Sequence, residues 1–114
     1  MHELGIASAM LEAIEAESRK HSGRVSKVGV RIGALSGVDV ESLRFCFTLL
    51  VKDTAWDPLE LEIESVPRRH ECPACGEVFV VGNQSPACPL CGSASTKFLT
   101  GDELDLAYLE LIPQ

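Results

Sequence analysis

Four cysteines in the second half of the chain form two pairs that could hold a metal ion. Each pair follows the pattern Cys-x2-Cys, and twelve residues separate the pairs, which comprise Cys72, Cys75, Cys88 and Cys91. Two intervening residues let a tight turn aim both sulfurs at one point, and the glycine after each pair lets backbone amides approach them. Four thiolates in a tetrahedron suit zinc and leave no coordination position for water or substrate. The pattern therefore predicts one structural Zn(II) site.

Other interpretations of these cysteines fit the residues less well. A thioredoxin-type redox pair requires its first cysteine at a helix N-terminus, whereas Cys75 is followed by a strand-like run through Val81. Iron in a rubredoxin-like site is chemically possible, although the short separation and the few aromatic residues argue against it. A zinc hydrolase is excluded because four thiolates would saturate the ion. Two unrelated turns remain the alternative in which no metal binds.

The first three residues, Met1-His2-Glu3, offer a second set of metal ligands. The α-amine of Met1, the deprotonated amide of His2 and its imidazole could form adjoining chelate rings, and the amide of Glu3 could complete a plane of four nitrogens. Nickel(II) and copper(II) both favour such tetragonal nitrogen sites, so the geometry does not choose between them. The alternative is a solvated histidine without a role.

Composition narrows the functional classes further. The chain has 114 residues, of which 46% are hydrophobic, and a formal net charge of −7. This size argues against a large enzyme, and the acidic balance argues against binding the nucleic-acid backbone. We expect a cytoplasmic protein without membrane contact, because no apolar run has membrane-spanning length and no export signal opens the chain. An odd number of cysteines in such a chain indicates reduced thiols, and Cys46 is expected to pack as a small buried hydrophobe.

Hydrophobic periodicity predicts the elements that position these residues. Apolar residues recur at helical spacing from residue 4 to residue 20, and again after Asp39, a natural N-cap for a second helix. Alternating apolar residues predict three strands, at 25–33, 59–64 and 104–112. The segment 67–101 differs from both patterns, because it contains turn residues, the paired cysteines and the short β-like run 78–81.

These elements predict an α+β fold. Two helices would pack on a three-stranded sheet, and a zinc-ribbon-like module with four cysteines would be inserted between the second and third strands. We expect residues 1–66, completed by the strand 102–114, to form one domain, and residues 67–101 to form the zinc-binding module. A segment as short as this module cannot bury enough apolar area to fold alone, so the metal must supply the missing stability.

Several motifs together resemble one known family over nearly the whole chain and in the same order. They are the opening Met1-His2-Glu3, the strand end RIGALS at 31–36, the helix ESLRFCF at 41–47, the four-cysteine module and the closing GDEL at 101–104. This combination resembles the hydrogenase nickel-incorporation proteins of the HypA/HybF family.

The resemblance implies a nickel metallochaperone and not an enzyme. In that family an N-terminal domain binds transferable Ni(II), which assigns the amine to Met1, the imidazole and its amide to His2, and an amide and a tuning carboxylate to Glu3. Asp39 matches an acidic position that some members place near the nickel, and its other role is that of a helix cap. Some relatives also have a histidine just after a cysteine pair, where this chain has glycine, so a pH-switched zinc site is not expected here.

The resemblance also implies partners. These are a nickel-insertion GTPase accessory protein, the large subunit of nickel-iron hydrogenase and, in some organisms, urease maturation proteins; it leaves a homodimer open. A competing function is a zinc-ribbon adaptor that binds nucleic acid or a protein assembly. Against it, residues 67–101 have a net charge of only +1, too little for strong phosphate binding.

Overall fold

The structure, a computed structural model, describes residues 2–82 and 85–113. Within those ranges the chain forms two helices and six strands. In chain order they are α1 (Glu3–Ser18), β1 (Arg24–Gly33), α2 (Val40–Val51), β2 (Glu60–Val66), β3 (Arg69–Glu71), β4 (Val78–Val80), β5 (Lys97–Thr100) and β6 (Leu104–Ile112). In the described part of the chain, no helix is long and apolar enough to cross a membrane.

The strands form two separate three-stranded sheets. The first has the order β2-β1-β6, and the second has the order β4-β3-β5. The chain divides into two compact units, one comprising Met1–Arg31, Gly37–Glu64 and Asp105–Gln114, the other Ile32–Ser36 and Ser65–Leu104. The functional division into a nickel-binding domain and a zinc-binding module stays a prediction.

The first unit has a core of aliphatic and aromatic side chains from both helices and from the first sheet. Its fully buried members include Ala7, Ile14, Val25, Val28, Leu43 and Phe47. The helices α1 and α2 are in contact with each other. Residues three or four apart on a helix share one face, which explains why Leu43, Phe47 and Val51 of α2 are buried together.

The second unit is built on β3, which pairs antiparallel with β4 on one side and with β5 on the other. His70 lies opposite Phe79 of β4 and opposite Phe98 of β5. A register shift separates Arg69 from His70 in the pairing with β5. All four paired cysteines belong to this unit.

The predicted α+β fold is confirmed, with differences in detail. Asp39 caps α2 as predicted, because its Oδ1 accepts a hydrogen bond from the Ser42 amide at 3.1 Å. The first helix ends at Ser18, whereas the helical spacing extends to residue 20, and Leu4 at its start is exposed. The strands β3 and β5 were not expected, because neither has enough residues to show an alternating pattern.

Candidate metal centres

The four paired cysteines meet in one cluster. Their sulfur atoms all lie within 4.8 Å of one another. The Sγ atoms of Cys72 and Cys91 are 3.5 Å apart, and those of Cys75 and Cys88 are 3.6 Å apart. A tetrahedral ion with metal–sulfur bonds of about 2.3 Å requires sulfurs roughly 3.8 Å apart. The cluster therefore has the donor type and the spacing of a tetrahedral metal-binding site.

Tight turns give each cysteine pair its shape. Gly76 donates its amide hydrogen to the Cys72 carbonyl at 2.6 Å, and Gly92 donates to the Cys88 carbonyl at 2.9 Å. Both glycines have positive φ angles, 81° and 79°, where a residue with a side chain would be strained. This geometry explains the glycine that follows each Cys-x2-Cys pair in the sequence.

The backbone around Cys88 favours its thiolate. The amides of Cys91 and Leu90 both donate to the Cys88 sulfur at 3.4 Å. The hydrogen bond from Cys91, helped by the one from Leu90, lowers the pKa of Cys88 to about 7, although desolvation opposes the shift. The Cys88 thiol therefore loses its proton near neutral pH.

Two other thiols of the cluster hold their protons more tightly. The backbone amide of Glu77 favours the thiolate of Cys75, but desolvation and hydrogen bonds with neighbouring cysteines outweigh it and raise the pKa of Cys75 to about 12. The pKa of Cys91 is also raised, because the hydrogen bond from Ser93 is outweighed by the contact with Cys72 and by desolvation. A divalent ion must displace these protons when it binds.

The predicted nickel ligands lie at the start of the first helix. His2 is the N-cap residue of α1, its side chain is exposed, and its carbonyl accepts the Ile6 amide at 3.1 Å. The imidazole makes no capping hydrogen bond. Met1, the predicted amine ligand, lies outside the described residues.

Glu3 and Asp39 are joined by a hydrogen bond that sequence patterns did not indicate. The backbone amide of Asp39 donates to Glu3 Oε2 at 3.0 Å. The bond connects the first residue of α1 to the cap of α2, two positions 36 residues apart in sequence. It places the predicted tuning residue Asp39 beside the predicted ligand Glu3.

An open depression borders the same region. Its lining comprises His2, Glu3, Leu4, Glu41, Ser42, Phe45 and Cys46. Cys46 is half-buried here and not fully buried as predicted. Its thiol lies outside the four-cysteine cluster.

Comparisons with known proteins agree on one family. The model of the family described as hydrogenase/urease nickel incorporation, metallochaperone, HypA, matches residues 1–111. The hydrogenase maturation factor HypA of Acidithiobacillus ferrooxidans is 38% identical over 112 residues, covering 97% of this chain and 99% of that protein. HypA of Chlorobium phaeobacteroides is 38% identical over 105 residues, covering 91% of this chain and 93% of that protein.

Solved structures agree on the fold. A solution structure of the nickel metallochaperone HypA from Helicobacter pylori has a TM-score of 0.67 and 24% identity, with complete coverage of both chains. A second HypA solution structure has a TM-score of 0.70 at 24% identity, covering 100% of this chain and 98% of the other. Because the family model spans residues 1–111 and the curated relatives cover nearly the whole chain, this protein belongs to the HypA family of nickel-incorporation metallochaperones.

Proposed function

We propose that this chain carries nickel(II) at its N-terminus and delivers it to the large subunit of nickel-iron hydrogenase. The observation that supports this most strongly is the family match over residues 1–111, which includes the predicted ligands Met1, His2 and Glu3. The family is one of metallochaperones, so a carrier without catalytic residues is the corresponding function.

The position of His2 at the helix start suits a nitrogen-bound metal. The first amides of an α-helix have no hydrogen-bond partner within the helix. Among the residues that the structure describes, the Ile6 amide donates to the His2 carbonyl at the first turn of α1. The amide nitrogens of His2 and Glu3 can therefore lose their protons to a metal without breaking the helix. With the Met1 amine and the His2 imidazole they would form the square-planar set that nickel(II) favours.

Glu3 contributes in a second way in this proposal. One carboxylate oxygen is held by the Asp39 amide, which fixes the side chain against the start of α2. The backbone amide nitrogen of Glu3 would bind nickel, while its carboxylate would keep the hydrogen bond from Asp39 at the start of α2. Asp39 would then tune the site through position and charge while its own carboxylate caps the helix.

We assign zinc(II) to the four-cysteine cluster, as a resident structural ion. Four thiolates prefer a soft or borderline tetrahedral ion, and zinc satisfies this preference without redox chemistry. Cys72, Cys75, Cys88 and Cys91 would hold the ion. It would join the two cysteine turns and stabilise the second unit, whose strands β3, β4 and β5 have three or four residues each.

The proposed partners follow from the family and from what the sequence lacks. The chain contains no phosphate-binding glycine loop of the P-loop type, so a nucleotide-driven step would come from a partner GTPase. The acceptor would be the hydrogenase large subunit, with urease maturation proteins as further partners where urease is present. The competing function, a zinc-ribbon adaptor for nucleic acid, is disfavoured by the net charge of −7.

Nickel content of the isolated large subunit tests this function. In cells that lack the native gene, the wild-type chain should restore nickel to the subunit, and His2→Ala should leave the subunit without nickel. His21→Ala is the matched control, since His21 is an exposed histidine beyond the end of α1. Normal nickel loading by the His2→Ala chain would refute the proposal.

A further inference from the structure

His70 is a buried polar side chain at the centre of the second sheet. It is 6% exposed. Its ring centroid lies 5.9 Å from that of Phe98 in an edge-on arrangement and 6.3 Å from that of Phe79. A buried imidazole between two aromatic rings needs hydrogen-bond partners for its two ring nitrogens.

The partners of His70 fix which ring nitrogen carries the proton. Arg68 Nε lies 3.0 Å from His70 Nε2, and a guanidinium can only donate, so Nε2 is the acceptor. The proton of the neutral ring is then on Nδ1, which donates to Thr96 Oγ1 at 3.0 Å. The Thr96 hydroxyl in turn donates to the Pro86 carbonyl at 2.7 Å. Every proton in this series has one acceptor, and we name the series Arg68–His70–Thr96–Pro86 the relay.

The relay connects the two halves of the cysteine cluster. His70 precedes Cys72 by two residues, and Pro86 precedes Cys88 by two residues. The turn bonds of the cluster each stay within one cysteine pair, from Gly76 to Cys72 and from Gly92 to Cys88. The relay runs between the segments that lead into the two pairs.

A four-sulfur site needs the two pairs to be correctly placed relative to each other. Each Cys-x2-Cys turn fixes its own two sulfurs, but twelve residues separate Cys75 from Cys88. If the ion alone brought the pairs together, the cost of ordering this segment would reduce its binding free energy. A hydrogen-bonded link that already sets the spacing would remove part of that cost.

We propose that His70 and Thr96 are positioning residues that pre-organise the two cysteine pairs for zinc. The inference rests on the proposed function, in which the four cysteines hold zinc. The residues would act through the backbone that carries the ligands. Their loss should raise the zinc dissociation rate while the four-thiolate coordination stays the same.

The Thr96 hydroxyl offers the sharpest test. Thr96→Val keeps the shape of the side chain and removes the two relay bonds of the hydroxyl, to His70 and to Pro86, whereas Thr96→Ser keeps the hydroxyl. We expect Thr96→Val to release zinc to a competing chelator about tenfold faster than the wild type, in the range seen for residues that support metal ligands. Thr96→Ser should stay within about twofold of the wild-type rate.

The same module offers a matched control. The Thr100 hydroxyl also donates to a proline carbonyl, that of Pro67, at 2.8 Å. This bond has the same chemistry as the bond from Thr96 to Pro86 but joins β5 to the segment before β3. Thr100→Val should therefore release zinc at a rate within about twofold of the wild type.

A second pair of variants covers the case in which Thr96→Val fails to fold. His70→Asn retains a donor near the Nδ1 position, while His70→Gln retains an acceptor near the Nε2 position; both lose the aromatic ring. The relay predicts faster zinc release from His70→Gln than from His70→Asn. The absorption spectrum of the cobalt-substituted variants should keep the tetrahedral thiolate signature of the wild type.

The outcomes separate this inference from the proposed function. A wild-type release rate in Thr96→Val, equal acceleration in Thr100→Val, or equal rates in the two His70 variants would overturn the relay while the zinc assignment stands. A wild-type chain that binds no zinc would overturn both. Fast release from Thr96→Val with an unchanged cobalt spectrum and a normal rate in Thr96→Ser supports the relay.

Discussion

The aromatic ring of Tyr108 occupies the space that a side chain at residue 29 would fill. A Cβ atom placed on Gly29 would lie 2.0 Å from Tyr108 Cε1, far inside contact distance. The Tyr108 hydroxyl donates to Glu62 Oε1 at 2.6 Å, and Lys27 Nζ lies 3.1 Å from Glu62 Oε2. The Tyr108 side chain of β6 therefore passes over Gly29 of β1 to reach Glu62 of β2. The cluster of Tyr108, Glu62 and Lys27 joins all three strands of the first sheet.

Gly29→Ala should destabilise the chain. The new methyl group would displace the Tyr108 ring and break its hydrogen bond with Glu62, at a cost of about 1–3 kcal/mol in the free energy of unfolding. Urea unfolding of the zinc-loaded chain measures this cost. In a Tyr108→Ala background the ring is absent, and alanine is a better strand residue than glycine. The cost should then vanish or change sign, and an equal cost in both backgrounds would contradict the account.

The same cluster predicts a dependence of stability on pH. The hydrogen bond from Tyr108, and then the contact with Lys27, lower the pKa of Glu62 below the ordinary value of 4.5. A lowered pKa in the folded state gives stability that is fully present above the unfolded pKa and is lost as the pH falls through the folded one. The free energy of unfolding should therefore decrease less in Glu62→Gln than in the wild type between about pH 6 and pH 3.

Glu64→Gln is the control for this pH experiment. Glu64 lies on the same strand, β2, and is exposed. Its substitution should leave the acid-induced loss of stability close to that of the wild type. If the two variants lose the same amount, Glu62 is not the group responsible.

Local sequence signals predicted a substantial part of this molecule. The cysteine spacing predicted a four-sulfur cluster because two turns of known geometry each fix two ligands. Asp39 could be identified as a cap because the capping bond spans only three residues, to Ser42. The sequence was therefore sufficient to predict a feature where its residues lie within a few positions of one another.

Contacts between residues distant in sequence could not be predicted in the same way. The bond from the Asp39 amide to Glu3 depends on how α1 packs against α2. Hydrophobic periodicity within each helix does not predict that packing. The packing of the Tyr108 ring against Gly29 requires that β6 pairs with β1. The relay through His70 depends on the short strands β3 and β5, which have too few residues for a detectable alternation.

Removal of one cysteine should affect the second unit alone. Cys75→Ala leaves three thiolates, and we expect loss of zinc and of amide-exchange protection in β3, β4 and β5. The amides of α1 and α2 should keep their protection, because their core consists of apolar side chains of the first unit. Cys46→Ala, outside the cluster, should retain one zinc per chain. A Cys75→Ala chain with full zinc and wild-type protection would contradict the assignment.

Zinc affinity should rise with pH, and the rise should be steeper on the acid side of the range. The ion must displace protons from Cys75, whose pKa is raised to about 12, and from Cys91, whose pKa is also raised. Each displaced proton gives about a tenfold gain in affinity per pH unit. Below about pH 7 Cys88 is protonated as well, which adds one proton to the exchange. Competition with a chelator from about pH 6 to pH 8.5 should therefore show a larger slope on the acid side.

Calorimetric titration of the zinc-loaded chain with nickel(II) tests the central proposal most directly. The wild type and His21→Ala should each bind one nickel ion tightly. Both His2→Ala and a chain extended by Gly-Ser before Met1 should lose that binding, since one lacks the imidazole and the other displaces the terminal amine. Zinc content should remain one per chain in all four proteins. Unchanged nickel affinity in His2→Ala would contradict the account.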